Sequence, residues 1–285
     1  MHHPDLTGKV VVITGTNRGI GAETVKTIAK LNATIVCCCR NEEAQIRVNM
    51  LLANETKNKN IEFVKCDLLD LNCVKKAGKY IKEKYGKVDL LIANAGIMAS
   101  PYELSKQNID SQMATNYLGH VCLINEIIPL MEKSEDPRIV CVSSVAHKWR
   151  KTDNISLLVS KENYRPVLRY FESKLAIGMY VKQLSKEYPK IKVMHCHPGL
   201  VYSNLWKDWH PWLIWACSPA YKIFWKNEKE ACQTTLHCSF APDVESGCYY
   251  ADCKKQQHHL LINDEQKCRK LYNETNEFIK KNTLE

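Results

Sequence analysis

Short apolar runs alternate with longer amphipathic stretches along most of the chain. The apolar runs are rich in valine, isoleucine and cysteine, which is typical of strands buried on both faces of a parallel sheet. The predicted strands are Val10–Ile13, Thr34–Cys39, Ile61–Cys66, Val88–Ala93, Arg138–Ser143 and Lys192–His197. The predicted helices are Ala22–Ala29, Glu42–Thr56, Leu71–Tyr85, Ile109–Met131 and Phe171–Tyr188. Because parallel strands need right-handed crossovers, this order predicts a doubly wound α/β sheet in three αβα layers.

Two stretches interrupt the alternation. Residues 147–169 are polar and irregular, and residues 205–225 hold five of the six tryptophans together with Pro211 and Pro219. The tryptophan-rich stretch suits a lid over an apolar pocket, a patch that touches a membrane, or a helix pair packed on the domain. A chain of 285 residues suits one large domain. We therefore expect a single domain over residues 1–285, with a lid-like helical insertion at residues 205–230.

The first predicted strand runs directly into a glycine-rich turn, which the first helix follows. The turn is Thr14-Gly15-Thr16-Asn17-Arg18-Gly19-Ile20-Gly21, with the spacing Gly-x-x-x-Gly-x-Gly. Gly15 permits a sharp turn, and Gly19 and Gly21 let backbone N–H groups approach a pyrophosphate at a helix N-terminus. An ordinary strand–turn–helix that happens to contain glycine is the alternative. The context favours a Rossmann-type dinucleotide site.

Composition narrows the function classes further. Hydrophobic residues make up 45% of the chain and charged residues 25%, which is ordinary for a soluble globular protein. The net charge of +9 suits a phosphate-bearing cofactor or an anionic membrane surface, but the scattered lysines do not predict nucleic-acid binding. There is no signal peptide or long apolar run, so we expect a cytoplasmic protein whose 14 cysteines are reduced.

One late group of metal-binding residue types does not predict a metal site. Cys248, Cys253, His258 and His259 lie close together in sequence but lack the paired Cys-x-x-Cys of a zinc knuckle. We therefore expect no metal.

A second group of residues suggests acid/base chemistry. Tyr170 and Lys174 are four residues apart, so on a helix they share one face. A neighbouring ammonium favours the phenolate, which lets a phenol exchange a proton with an alcohol or carbonyl near neutral pH. Ser144 follows the fifth predicted strand, at the sheet edge where such folds bind ligands, and could hold a substrate oxygen. A surface Tyr–Lys pair and a plain turn serine are the alternatives.

Taken together, the motifs resemble the short-chain dehydrogenase/reductase family. The matching pieces are the turn at residues 14–21, Asn94-Ala95-Gly96, Asn116, Ser144, Tyr170-x-x-x-Lys174 and His197-Pro198-Gly199. They occur in the family's order. Further pieces are similar to those of the retinol dehydrogenase branch, which includes the WW-domain-containing oxidoreductase. They lie at residues 38–41, 116–120, 142–147, 197–201 and 246–253.

The resemblance implies a role for four candidate catalytic residues. Tyr170 is expected to be the proton donor or acceptor, and Lys174 to lower its pKa and to bind the nicotinamide ribose. Ser144, rather than Ser143, is expected to orient the substrate carbonyl. Asn116 is expected to kink its helix and to hold a water in a proton relay.

The cofactor is expected to be NADP, with NAD as the alternative. A carboxylate at the end of the second strand would grip the ribose hydroxyls of NAD, but the chain has Cys39-Arg40-Asn41 there. Arg40 and Arg18 can pair with a 2′-phosphate. The expected cofactor-binding residues are Gly15, Asn17, Arg18, Gly19, Ile20, Gly21, Arg40, Asp67, Leu68, Asn94, Ala95, Gly96, Tyr170, Lys174, Pro198, Gly199 and Ser203.

These inferences predict an NADP-dependent oxidoreductase that transfers a hydride between nicotinamide and a carbonyl or alcohol. The tryptophans at 206, 209, 212, 215 and 225 suggest a bulky apolar substrate, such as a retinoid, steroid or lipid aldehyde. A catalytically silent NADP(H)-binding scaffold or redox sensor is the main alternative. A sugar-nucleotide epimerase is a weaker one, because the glycine spacing and the chain length argue against it. The sequence leaves two further interactions open, namely a homodimer and a peripheral contact with a membrane.

Overall fold

The fold is built on one sheet of eight strands. The computed structural model describes residues 4–199 and 226–284. The strands are β1 (Val10–Thr14), β2 (Thr34–Cys39), β3 (Ile61–Lys65), β4 (Leu90–Ala93), β5 (Arg138–Val142), β6 (Lys192–His197), β7 (Tyr249–Ala251) and β8 (Lys254–Gln256). Their spatial order is β3-β2-β1-β4-β5-β6-β7-β8. Neighbouring strands are parallel from β3 to β7, and β8 alone pairs antiparallel, with β7.

Helices cover both faces of this sheet. They are α1 (Gly19–Ala29), α2 (Glu42–Thr56), α3 (Leu71–Lys84), α4 (Ser111–Met113), α5 (Gly119–Met131), α6 (Pro166–Glu187), α7 (Glu228–Phe240) and α8 (Glu265–Lys281). The core on one face joins the sheet to α1, α2 and α7. The core on the other face joins it to α3, α5, α6 and α8. The predicted doubly wound, three-layer α/β fold is thus confirmed.

The strand order reverses at β1, which pairs with β2 on one side and with β4 on the other. At such a switch point the connections leave in opposite directions, so a crevice opens beyond the carboxyl ends of the strands. The glycine-rich turn follows β1 at this edge. Residues 94–96 follow β4 at the same edge, and Ser143 and Ser144 follow β5. The sheet therefore brings segments that are distant in sequence to one place.

Most predicted elements agree with the structure to within a few residues, and the exceptions have local causes. The helix predicted to begin at Phe171 is α6, which begins at Pro166 because proline is well suited to the first helical position. The predicted helix from Ile109 begins at Ser111, where the Asp110 carboxylate caps it by accepting from the Met113 N–H. It also contains a π-helical turn, Ala114–Leu118, between α4 and α5.

The C-terminal part holds elements that the apolar pattern did not predict, namely α7, β7, β8 and α8. Residues 205–225 of the predicted insertion lie outside the described residues, and residues 228–230 form the first turn of α7. None of the helices in residues 4–199 and 226–284 combines the length and apolarity needed to cross a membrane.

Candidate active site

The glycine-rich turn packs too tightly for side chains at two of its glycines. Gly15 has a φ of 69°, and a Cβ on it would lie 2.8 Å from Ala95 Cα. A Cβ on Gly21 would lie 2.1 Å from Gly15 O and 2.7 Å from Asn94 Nδ2. The turn is therefore pressed against the segment after β4, which explains why glycine occupies both positions.

The N-terminus of α1 is open toward the crevice. Its N-cap residue, Arg18, has extended backbone and makes no side-chain cap, so this position leaves the first N–H groups of the helix unsatisfied within the described residues. Gly19 has a φ of 57°, and a Cβ there would meet nothing within 4 Å. Asn17 and Ile20 are half-buried beside it. Uncapped N–H groups facing open space are the donor set that a pyrophosphate takes, so these residues fit a dinucleotide.

Two arginines stand near the predicted adenosine end of this site. Arg18 and Arg40 are both exposed, and neither has a side-chain partner among the described residues. Between them, Cys39 Sγ accepts the Thr16 N–H at 3.1 Å, and Thr16 Oγ1 donates to Gln45 Oε1 at 2.8 Å. The end of β2 therefore presents the thiol of Cys39 and the guanidinium of Arg40, unpaired in the described part of the chain, and no carboxylate.

Asp67 and Leu68 follow β3 along the same edge. Asp67 Oδ1 accepts the Leu69 N–H at 3.1 Å, which holds the carboxylate in the turn. Leu68 is buried against α5, where a Cβ on Gly119 would lie 2.7 Å from Leu68 O. Asp67 is half-buried, so its carboxylate is still within reach of a ligand.

Asn94 and Ala95 are fixed to the glycine-rich turn by hydrogen bonds, and Gly96 follows them. Asn94 Nδ2 donates to Thr14 O at 2.9 Å and to Gly15 O at 3.2 Å. The N–H groups of Asn94 and Ala95 both donate to Thr14 Oγ1, at 2.9 and 3.0 Å. One threonine side chain thus joins the carboxyl ends of β1 and β4.

His120 completes this junction, and sequence reasoning assigned no role to it or to Thr14. Thr14 Oγ1 accepts two N–H groups, so its own hydrogen is directed to His120 Nε2, 2.9 Å away. His120 Nδ1 then carries the proton and donates to Asn116 O at 3.3 Å. Burial, reinforced by the charge of Lys174, lowers the pKa of His120 to about 3, so the ring is neutral.

Asn116 lies in the π-helical turn Ala114–Leu118, where the helix departs from its regular bonding. Its Oδ1 accepts the Ile97 N–H, and its Nδ2 donates to Ile97 O and to Ser173 Oγ, all at 2.9 Å. The side chain therefore ties α6 to the segment after β4. A Cβ on Gly96 would lie 3.3 Å from Asn116 Oδ1 and 3.4 Å from Lys174 Nζ, so these groups converge on one point.

The structure brings Ser144, Tyr170 and Lys174 together. The Ser144 hydroxyl lies beside the Tyr170 phenol, where it acts to lower the pKa of that phenol. Lys174 Nζ donates to Val142 O at 2.9 Å and lies 5.8 Å from the centre of the Tyr170 ring. Ser143 instead donates to Lys174 O at 3.0 Å from a buried position. This geometry distinguishes Ser144, which faces the phenol, from Ser143, which holds α6 to β5.

Burial shifts the pKa values of the tyrosine and the lysine in opposite directions. Burial raises the pKa of Tyr170 to about 12, against a smaller lowering effect of the Ser144 hydroxyl. Burial lowers the pKa of Lys174 to about 8. Desolvation of the phenol is thus the largest influence on the pKa of Tyr170.

An apolar wall adjoins the Tyr170 ring. Tyr170 packs in one cluster with Met98 and Ala146, and Phe171 lies against that cluster. The exposed ring of Trp149 packs edge-to-face on Phe171 with their centres 5.7 Å apart. The phenol thus sits between the polar crevice and an aromatic surface.

The last predicted contacts are placed only in part. Pro198 is buried after β6, and Gly199 has a φ of 97°. A Cβ on Gly199 would lie 2.6 Å from Lys226 Cδ, which places Lys226 beside this end of the site. Ser203 and the five tryptophans of residues 205–225 lie outside the described residues.

Comparison with known proteins identifies the family. Residues 9–214 match the model of the short chain dehydrogenase family. Human retinol dehydrogenase 12 is 33% identical over 258 residues, which cover 88% of this chain and 79% of that protein. The WW domain-containing oxidoreductase of Pongo abelii is 30% identical over 261 residues, which cover 87% of this chain and 63% of that protein.

A solved structure shares the fold. An uncharacterised protein from Mycobacterium paratuberculosis aligns with a TM-score of 0.79 at 25% identity, covering 98% of this chain and 96% of that one. The chain therefore belongs to the short-chain dehydrogenase/reductase family of oxidoreductases, in its retinol dehydrogenase-like branch.

Proposed function

We propose that this chain is an NADP(H)-dependent oxidoreductase that interconverts a carbonyl and an alcohol on a bulky apolar substrate. The observation that carries the proposal is the convergence of the Ser144 hydroxyl, the Tyr170 phenol and the Lys174 ammonium beside a turn suited to a pyrophosphate. All three lie at the strand edge where doubly wound sheets bind ligands.

Each side chain has a defined task in this reaction. Tyr170 gives its proton to the substrate oxygen during reduction and takes it back during oxidation. The Ser144 hydroxyl donates a hydrogen bond to the same oxygen and holds the carbonyl in line. The Lys174 ammonium, held by Val142 O, stabilises the phenolate that remains after proton transfer. The nicotinamide supplies or accepts the hydride when bound.

Asn116 and His120 hold the segments that carry these side chains in place. Asn116 fixes the position of Ile97 and Ser173 by three hydrogen bonds, so α6 holds Tyr170 and Lys174 in one orientation. His120, neutral and bonded to Thr14, joins the π-helical turn to the glycine-rich turn. Proton transfer depends on such fixed geometry, because small misplacements of the reacting groups are costly.

The choice of NADP is supported by charge. Arg18 and Arg40 are exposed and unpaired among the described residues, on either side of the Thr16–Cys39 contact. A guanidinium binds a phosphate through paired hydrogen bonds, whereas NAD recognition uses a carboxylate for the ribose hydroxyls. The end of β2 offers the cation and lacks the carboxylate.

The substrate class is supported by the surface beside Tyr170. Met98, Ala146 and Phe171 form an apolar wall at the phenol, and Trp149 extends it outward. Such a wall gains contact area from a long or polycyclic hydrocarbon and nothing from a sugar. A retinoid, a steroid or a lipid aldehyde meets this requirement.

The decisive experiment measures NADPH oxidation with a panel of apolar aldehydes and ketones, and NADP⁺ reduction with the matching alcohols. The parent protein is compared with Tyr170→Phe and with Tyr85→Phe. The Tyr85 hydroxyl contacts Glu62, away from the crevice. We expect turnover in the parent and in Tyr85→Phe, and loss of turnover with retained NADPH binding in Tyr170→Phe. Binding without turnover in every protein and both directions would instead favour a cofactor-binding scaffold or sensor.

A further inference from the structure

A buried group of aromatic polar side chains lies behind Ser144, and the mechanism above does not use it. His147 follows Ser144 in a 3-10 turn (Val145–Trp149), His195 lies on β6 and Tyr249 lies on β7. The His147 ring is 4.6 Å from the Tyr249 ring and 5.5 Å from the His195 ring, centre to centre. The His258 ring stacks with the His195 ring, with their centres 6.0 Å apart.

Several polar atoms in this group are buried without a partner among the described residues. They are Nε2 of His147, both ring nitrogens of His195, Nδ1 of His258 and the hydroxyl of Tyr249. Burying a polar group without a hydrogen bond costs roughly 1–3 kcal/mol, so a purely structural role would be served better by apolar side chains. The cluster therefore calls for another explanation.

Two nitrogens in the group do have partners: Nε2 of His258 bonds to Asn263 Oδ1, and Nδ1 of His147 bonds to the backbone of Ser144. His147 Nδ1 lies 2.6 Å from Ser144 O, and the His147 backbone N–H donates to the same oxygen at 3.2 Å. A carbonyl oxygen can only accept, so Nδ1 carries the proton and Nε2 is the bare nitrogen. Two donors from one residue thus fix the plane of the peptide group that follows Ser144.

The turn that contains this peptide group also holds the Ser144 hydroxyl. Ser144 Oγ accepts the Ala146 N–H at 3.2 Å, within the turn that His147 closes. The hydroxyl hydrogen remains available for Tyr170 and for a substrate oxygen. If the turn relaxes, the Ser144 hydroxyl loses its alignment with the phenol.

The surroundings keep the His147 ring neutral and in place. The side chain is fully buried, and burial lowers the pKa of His147 to about 4. Lys148, His258 and His259 oppose a positive charge at this position, although the Ser144 carbonyl favours one. The Tyr249 and His195 rings pack against the imidazole, and Lys148 Nζ lies 5.1 Å from the centre of the Tyr249 ring.

We propose that His147 is a positioning residue, which orients the Ser144 hydroxyl toward Tyr170 through the Nδ1–H bond to the Ser144 carbonyl. The consequence for turnover rests on the proposed function, whereas the consequence for the geometry of Ser144 and Tyr170 does not. The rings of His195 and Tyr249 pack beside the imidazole without a hydrogen bond to it among the described residues.

Two substitutions separate the hydrogen bond from the bulk of the ring. The side-chain amide of His147→Asn can place an N–H donor where Nδ1 stands, whereas the amide of His147→Gln lies one bond further out. We expect His147→Gln to lower kcat by about tenfold to 100-fold with little change in KM for NADPH. His147→Asn should recover most of that loss. His195→Leu changes the same cluster without touching Ser144, and should keep the parent kcat.

A second measurement reports on the same bond without any turnover. The Cζ resonance of ¹³C-labelled tyrosine, assigned to Tyr170 by its loss in Tyr170→Phe, senses the hydrogen bond at the phenol. We expect His147→Gln to shift this resonance, and His147→Asn and His195→Leu to leave it near the parent value. Thermal melting of each variant shows whether it is folded.

The two measurements distinguish the two proposals. A shifted Tyr170 resonance in His147→Gln alone supports the positioning role even if the parent turns over no carbonyl, in which case only the proposed function fails. Equal resonances in all folded variants would overturn the positioning role, as would equal loss of kcat in His147→Asn and His147→Gln.

Discussion

At the scale of single residues, Arg18 and Arg40 determine what the proposed cofactor site can discriminate. Both guanidinium groups are exposed and lack a side-chain partner among the described residues. An exposed arginine without a partner contributes little to the free energy of unfolding, so stability does not explain these two side chains. Changing either residue should therefore affect binding without affecting folding.

We predict that Arg40→Ala raises the Kd for NADPH by about tenfold or more and leaves the Kd for NADH nearly unchanged. The reason is that the lost guanidinium would contact only the 2′-phosphate, and a hydrogen bond to a charged group contributes roughly 1.5–3 kcal/mol. Fluorescence titration of both cofactors measures the two constants. Arg18→Ala should act in the same direction.

Arg269→Ala serves as the control, because Arg269 is an equally exposed arginine on α8, away from the crevice. It should leave both dissociation constants unchanged. An equal weakening of NADPH and NADH by Arg40→Ala would contradict the assignment of Arg40 to the phosphate.

The sequence identifies the reacting residues better than the residues that support them. Tyr170 and Lys174 share one helix face, and Ser144 ends a strand, so local spacing is enough to predict them. Thr14 and His120 meet across 106 positions of sequence, and the bond between His147 and Ser144 depends on a turn inside a stretch predicted to be irregular from His147 onward. Only the three-dimensional packing reveals such partners.

At the scale of elements, the glycine-rich turn leaves no room for a side chain at Gly21. A Cβ there would lie 2.1 Å from Gly15 O, which is backbone and cannot move aside cheaply. We predict that Gly21→Ala lowers the free energy of unfolding by about 1–3 kcal/mol and abolishes NADPH binding. Urea denaturation and cofactor titration measure the two effects.

Gly86→Ala is the matched control, since a Cβ on Gly86 would meet nothing within 4 Å. It should keep NADPH binding and change the free energy of unfolding by less than about 0.5 kcal/mol. Normal cofactor affinity in Gly21→Ala would show that the turn does not hold the cofactor.

A buried ion pair holds the element that carries Tyr170. Arg169 Nη2 lies 2.7 Å from Asp110 Oδ2, with both side chains almost fully buried, and its Nη1 lies 2.9 Å from Glu172 Oε2. Arg169 also donates to the carbonyls of Ser156 and Leu157. The pair thus joins α6, the start of α4 and the loop before α6.

We predict that Arg169→Met lowers the free energy of unfolding by about 3–5 kcal/mol, because it leaves the Asp110 carboxylate buried and uncompensated. Adding Asp110→Asn should recover part of this loss, since asparagine removes the charge and can still cap α4. Lys281→Met, which breaks an exposed pair with Glu277, should have little effect. If the double variant instead loses as much free energy of unfolding as Arg169→Met and Asp110→Asn lose when added together, an uncompensated Asp110 charge is not the cause of the loss.

The elements that the sequence failed to predict are those whose sequence pattern is weak. The strands β7 and β8 have three residues each, and all three residues of β8 are exposed. α8 has only four buried residues among seventeen, so its apolar stripe is narrow. By contrast, all residues of β4 and β5 are buried, and their continuous apolar runs were predicted to within two residues.

At the scale of the whole molecule, α8 covers the helices that follow β4 and β5. Tyr180 on α6 stacks on Tyr272 at 4.9 Å, and Asn125 on α5 donates to Asn276 at 2.8 Å. Tyr117 is fully buried and bonds to Thr275 at 2.7 Å. The C-terminal helix thus packs on the helices that carry Tyr180 and Asn125, through a stacked ring pair and side-chain hydrogen bonds.

The buried histidines make the stability of the whole fold depend on pH. Burial lowers the pKa of His120 to about 3 and those of His147 and His197 to about 4, and also lowers the pKa of His195. In the unfolded chain a histidine has a pKa near 6.5. Between about pH 6.5 and 4 the unfolded chain therefore binds more protons than the folded one, so acid favours unfolding.

We predict that the free energy of unfolding falls steadily as the pH drops below about 6.5, by roughly 1.4 kcal/mol per buried histidine at pH 5.5. The carboxylates whose pKa values are lowered, such as Asp89 and Asp136, keep their stabilising effect through this range because they lose it only at more acid pH. Urea denaturation at pH 7.5 and at pH 5.5 measures the difference. His195→Leu removes one of the groups and should reduce the dependence by the share of a single histidine. A free energy of unfolding that stays constant between these two pH values would mean that the buried imidazoles take up protons without unfolding, and so that water reaches them in the folded state.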